Sequence, residues 1–221
     1  MKYFFRYMLL MVAVISFCGT LSAQITHKAS GDTDETASAV LKRASDKLNG
    51  KAVGFTVTMI NKDSDKKETA RLSATVVYSK GRYRVEQDRN VLYCDGKAIW
   101  HWNKDAGEVT VNPVTDGDDD LMNPAKLLAN YQKNFKAKYI RTEEDGTSVI
   151  DLTPNKGMSY YKIRLLIMEK TGIVKSMELH NYDGSRGEYR ISNFKQGVAV
   201  SDKDFSFDRN ANPAVEVIDM R

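Results

Sequence analysis

Val91-Leu92-Tyr93-Cys94-Asp95-Gly96-Lys97-Ala98-Ile99-Trp100-His101-Trp102-Asn103 is the most legible stretch of the chain. Asp-Gly between two runs of β-branched and aromatic residues signals a hairpin with a type I′ turn, because that turn needs the left-handed backbone these residues tolerate. Val91 to Cys94 is then one strand and Lys97 to Asn103 the return strand. In the return strand Trp100 and Trp102 alternate with His101. Period-two geometry therefore puts the tryptophans on one face and the histidine on the opposite, wetter one.

The same grammar repeats outward from this hairpin. Upstream, Phe55, Val57 and Met59 alternate with Thr56 and Thr58, and Leu72, Ala74, Val76 and Tyr78 alternate with Ser73 and Thr75. Gly81 turns the chain into Tyr83 and Val85, with Arg82, Arg84 and Glu86 on the other face. Downstream, a turn at Lys104-Asp105-Ala106-Gly107 leads into Glu108-Val109-Thr110-Val111-Asn112. Further runs follow at 138–142 and 148–153 around Asp145-Gly146, and at 160–169 and 173–182 around Lys170-Thr171-Gly172. Runs at 188–195 and 198–200 flank Gln196-Gly197, and short pieces at 205–207 and 215–218 close the chain.

Two helices interrupt this series. Ala37, Val40, Leu41, Ala44 and Leu48 fall on one helical face, with Gly50 at the exit. Asn123-Pro124 starts a second, short helix whose apolar face is Leu127, Leu128 and Tyr131. The expected fold is mainly β: about ten or eleven antiparallel strands in a single curled sheet, an incomplete barrel with the helices as its lid.

The chain has 221 residues, 42% of them hydrophobic and 10% aromatic, enough to build a core. Its 33 basic and 29 acidic side chains give a formal charge of +4. Lys2 and Arg6 precede an apolar run from Met8 to Phe17, too short to span a membrane, followed by small residues up to Ala23. We expect residues 1–23 to be a cleaved export signal, 24–32 a flexible leader and 33–221 a single domain. Loss of Lys2 and Arg6 leaves a charge of +2, which gives no reason to expect a nucleic-acid or polybasic membrane partner. Phe17 before Cys18 argues against lipidation there. Cleavage leaves Cys94 alone, so no internal disulfide is expected, and its setting suits a small buried hydrophobe.

The search for chemistry yields little. His27, His101 and His180 have no second ligand at metal-binding spacing. A Cys94–His101 dyad is outweighed by an ordinary strand histidine. Asp116, Asp118 and Asp120 resemble the start of a calcium loop, but Leu121 and Leu127 stand where glycine and glutamate are required. No phosphate-cradling loop, nucleophile elbow or zinc-protease motif is present. Neither catalysis, a metal nor a cofactor is expected. What stands out is apolar excess on single strand faces: Phe55, Val57 and Met59; Val76 and Tyr78; Tyr83 and Val85; Trp100 and Trp102. Such stripes form an ordinary core or, if the sheet curls, a cleft for a greasy guest under a movable lid that includes Leu127 and Leu128.

The stretch Asp95-Gly96-Lys97-Ala98-Ile99-Trp100-His101-Trp102-Asn103, the following Gly107-Glu108-Val109-Thr110-Val111, and the ending Phe205-Ser206-Phe207, Pro213 and Val215 to Arg221 resemble the periplasmic lipoprotein carrier family LolA. That resemblance implies a half-barrel that carries acylated lipoproteins through the periplasm. They would pass from an inner-membrane exporter to an outer-membrane acceptor, with no integral membrane segment and a monomeric shuttle. It implies an acyl-chain lining at Val76, Tyr83, Val85, Trp100 and Trp102. The family's lid-holding arginine falls near Ser79 in Tyr78-Ser79-Lys80-Gly81-Arg82, which leaves Lys80 and Arg82 as latch candidates. A periplasmic sensor or hydrophobic-ligand module on the same scaffold is the alternative.

Overall fold

A computed structural model describes residues 34–114 and 124–221. The expected signal and leader, the acidic triplet at 116–120 and Asn123 lie outside the described residues. Helix α1 (Glu35–Asn49) precedes six strands: β1 (Val53–Lys62), β2 (Glu68–Ser79), β3 (Arg82–Gln87), β4 (Asn90–Cys94), β5 (Ala98–Asn103) and β6 (Glu108–Pro113). Helix α2 (Pro124–Asn134) runs directly into β7 (Phe135–Thr142), followed by β8 (Thr147–Pro154), β9 (Tyr160–Met168), β10 (Ile173–Asn181) and β11 (Arg186–Gln196). A 3-10 turn (Asp202–Phe205) and β12 (Glu216–Asp219) complete the described chain.

All twelve strands form one sheet in the order β12-β6-β5-β4-β3-β2-β1-β11-β10-β9-β8-β7. Two meanders meet where β1 pairs with β11, and the end strands β12 and β7 do not pair with each other, so the sheet is open. Laid flat it would be about 50 Å wide at ~4.8 Å per strand, far wider than two packed helices. Yet Tyr83 and Cys94 from β3 and β4 share one buried cluster with Ile150, Leu152, Phe135 and Ala137 from β8 and β7, and with the apolar faces of both helices. A sheet that brings both ends to the same helices has to curl around them.

The expected helices are present. α1 buries Ala37, Val40, Leu41, Ala44 and Leu48, as the spacing requires. Its N-terminus is capped by Asp34, whose Oδ1 accepts from the Thr36 and Ala37 amides at 3.0 and 3.1 Å. α2 buries Leu127, Leu128 and Tyr131.

Three expectations about local structure are corrected. The 95–98 connection is not a two-residue type I′ turn. Only Gly96 has a left-handed φ, +91°, and the Asp95 carboxylate accepts the Lys97 and Ala98 amides, so side-chain capping replaces a second left-handed residue. Neither 198–200 nor 205–207 is a strand. After β11, in the middle of the sheet, the chain has to reach the β6 edge, and it does so as a strap across the back of β3 and β4. It arrives pointing along β6, so β12 pairs parallel to it, the one parallel pair in the sheet.

Candidate site on the concave face

Strand register decides which side chains meet. Tyr78 pairs with Tyr83, Tyr83 with Cys94 and Cys94 with Ile99, and all but Ile99 are fully buried in the helix-covered cluster. The next row runs Phe55, Val76, Val85, Leu92, His101, Thr110. On the other side, Val57 pairs with Ala74 and Ile191, and Met59 with Leu72 and Tyr189. Tyr189 is followed by Met177, Leu165, Ile150 and Tyr139. Phe55 stacks on Phe194 at 6.4 Å between centroids. Of the sequence-derived candidates, Phe55, Val57, Met59, Val76, Tyr78, Tyr83 and Val85 therefore share the concave face, and Leu127 and Leu128 close over it from α2.

Trp100 and Trp102 do not join them. Trp100 pairs with Tyr93 and Val111, and Trp102 with Val91 and Val109, all on the convex face. There they form a second core with Ala98 and the strap. Phe207 meets Trp102 edge-on at 5.2 Å, and Phe205 is 0% exposed. His101, expected on the wetter side, lies on the concave one. Alternation separated the two residue types correctly but could not tell which face the helices cover.

The latch candidates also fall elsewhere. Arg82 is on the convex face, 2.5 Å from the Asp202 carboxylate and 4.7 Å above the Phe205 ring. Arg84 beside it reaches Asp204 at 3.3 Å, so these arginines fasten the strap. Lys80 occupies the β2–β3 turn at φ +51° with an exposed side chain.

The helices are held by residues the sequence reading did not single out. Asp34 Oδ2 accepts the Tyr139 amide of β7 at 2.8 Å, and this hydrogen bond is the main cause of a carboxyl held below its usual range. Burial opposes that shift, and the Ala37 and Thr36 amides reinforce it. Ser38 Oγ and Tyr131 OH, 2.8 Å apart, tie α1 to α2. Arg43 donates to the Glu169 carbonyl, and Lys47 Nζ to Gln196 Oε1 at 2.8 Å. Gly172 lets the β9–β10 turn pass beneath α1: a Cβ there would lie 2.7 Å from the Arg43 carbonyl oxygen. These contacts carry no local signal in the sequence, since they join residues about a hundred positions or more apart.

The convex face of the second meander is ionic. Asp151 receives two hydrogen bonds from Arg164, at 2.7 and 2.8 Å, with Lys162 3.6 Å away. Burial alone would raise this carboxyl, but Arg164 and Lys162 leave it below the usual range. A depression of about 380 Å³ near the β7–β8 turn is lined by Glu143, Glu144, Asp145, Thr147, Leu166 and Lys175. Lys175 and Thr147 lower Asp145 to about 2, so this depression is charged and unsuited to an apolar guest. Among the described residues no group of three or more His, Cys, Asp or Glu could hold a metal, and no described helix is long and apolar enough to cross a membrane.

An open, curled antiparallel sheet whose apolar concave face is covered by two helices defines a half-barrel scaffold. Residues 80–208, more than half of the chain, match the family described as outer membrane lipoprotein carrier protein LolA, and the chain belongs to that family. It is 24% identical over 157 residues to an outer-membrane lipoprotein carrier protein of Actinobacillus pleuropneumoniae serotype 3 (strain JL03), which covers 66% of this chain and 72% of the relative. A protein of the same description from Photorhabdus laumondii subsp. laumondii is 24% identical over 182 residues, 77% of this chain and 83% of the relative. An uncharacterized conserved protein from Thermus thermophilus has a solved structure that superposes with a TM-score of 0.57 at 13% identity, over 83% of this chain and 99% of that one. That likeness shows the fold.

Proposed function

We propose that this chain is a divergent periplasmic carrier that takes up the acyl chains of lipoproteins on its concave face and shuttles them, as a monomer, from an inner-membrane exporter to an outer-membrane acceptor. Residues 33–221 would be its single carrier domain, delivered by a cleaved signal. The lining would be Phe55, Val57, Met59, Val76, Tyr78, Tyr83 and Val85, with Leu127 and Leu128 on the lid. The observation that carries this reading is one apolar cluster on the concave face, to which all of these but Met59 belong or against which they pack, covered by helices that a few polar contacts hold in place.

The physics of the cargo fits. Each methylene is worth ~0.8 kcal/mol on transfer from water, so an acyl chain of about fifteen costs roughly 12 kcal/mol to expose. A carrier has to hide that surface from water and still hide its own when empty, because a large bare apolar patch invites aggregation. Helices that seat on the hollow without a guest and lift for one meet both needs.

The test is to add the exported protein to spheroplasts with freshly labelled lipoproteins and count the label that becomes soluble. Release as a one-to-one complex is expected, with loss of release in Val57→Glu and Val85→Glu variants that remain folded. Absence of release by the folded protein, with the native exporter present, would favour a sensor on the same scaffold.

A further inference from the structure

The concave face changes character at one end. Beyond Val85 and Leu92, the inward positions of β3, β4 and β5 are Gln87, Asn90, His101 and Asn103, a polar patch continuous with the apolar floor. Two nitrogens there are fully buried and have no hydrogen-bond partner among the described residues, His101 Nε2 and Gln87 Nε2. An unsatisfied buried polar atom costs about 1–3 kcal/mol, so two at one end of one hollow call for an explanation. The amide nitrogen of Gln87 is a donor, and His101 Nε2 is one in the Nε2–H tautomer.

Resting on the carrier reading above, we propose that His101 and Gln87 are polar anchors for the guest, donating to the carbonyl oxygens that join its acyl chains to the head, while the chains lie along Leu92, Val85 and Val57. Charge favours a neutral carbonyl over a fatty-acid carboxylate. None of the inward positions of β1 to β6 is a lysine or arginine, and Glu108, next to Asn103, is an exposed acid. The arginines of β3 point to the strap on the other side. Burial also pushes the His101 imidazole below its usual range, so it meets the guest as a neutral donor. Nothing among the described residues satisfies either nitrogen, which lowers the stability of the closed form and eases its opening.

The experiment uses the purified protein with N-phenylnaphthylamine bound as an apolar reporter, displaced by dioctanoylglycerol, by its ether analogue dioctylglycerol, and by octanoate. Wild-type protein should prefer the ester to the ether by about fivefold to tenfold, the size expected of two modest hydrogen bonds, and should bind octanoate weakly. The preference should shrink to about twofold or less in the His101→Phe, Gln87→Met double variant, with affinity for the ether retained. Phe and Met fill similar space without hydrogen-bond donors, so the double variant should fold, which circular dichroism would check. An ester preference that survives in the double variant, or none in wild type, overturns the anchor assignment and leaves the carrier reading standing. Octanoate binding better than the ester would overturn it in favour of a carboxylate site. Failure of the reporter itself to bind would sink the carrier reading and the anchors with it.

Discussion

Asp34 links local chemistry to closure of the hollow. One carboxylate oxygen caps α1 and the other accepts the Tyr139 amide of β7, so a single side chain both starts the helix and fixes it to the sheet. Its folded-state pKa lies below the ordinary 3.8. The stability it contributes is therefore complete above the unfolded-state value and is lost as pH falls through the folded one. Asp34→Ala should cost about 1–2 kcal/mol in urea unfolding at neutral pH, and wild type and variant should converge as pH falls through the lowered folded-state value. A gap that persists in acid would mean that the carboxylate is not the stabilising group. At this scale the sequence was legible where residues act on their neighbours, as with the α1 stripe. It was misleading for His101 and the tryptophans. Alternation assigns residues to two faces, but both faces of β3–β6 are covered, one by helices and the other by the strap, and apolarity alone cannot rank them.

At the scale of elements, the strap and the β9–β10 turn carry the consequences. The pieces at 198–200 and 205–207 suggest short strands, yet the Phe207 ring meets Trp102 edge-on and Phe205 lies buried beneath Arg82 instead of joining a ladder. The information that decides this lies in β4 to β6, about a hundred residues earlier. Phe205→Ala should destabilise the fold by about 3–5 kcal/mol, the usual cost of removing a fully buried ring, with the loss read by denaturant titration. Arg82→Ala should cost less, about 0.2–1 kcal/mol, since its Asp202 partner is exposed. Gly172 makes the opposite kind of prediction. A side chain there meets both a left-handed φ of +70° and the α1 backbone. Gly172→Ala should lift the helix, lower the melting temperature and raise binding of an apolar dye at once. If the dye signal does not change while stability falls, the strain is relieved within the turn and α1 is not being displaced.

Across the whole molecule, the carrier reading makes the helices and the guest competitors for one surface. The residues that α1 buries, from Ala37 to Leu48, rest on the same cluster that includes Tyr78, Tyr83 and Val76. Occupation by a guest then requires the closed arrangement to open, and the measured affinity is the intrinsic one reduced by the fraction of molecules that are open. Each kcal/mol removed from the closed form should raise that fraction, and the affinity, about fivefold while closure dominates. The polar latches allow a clean test, because removing them leaves the apolar lining intact. Asp34→Ala, Ser38→Ala and Arg43→Ala should each bind an acyl reporter more tightly than wild type, in proportion to the stability each loses. Plotting log affinity against lost stability should give a line that rises by about 0.7 per kcal/mol. A flat plot would show that the guest enters without moving the helices. The carrier would then need a second hollow, and among the described residues the depression beside Asp145 and Lys175 is too charged to serve.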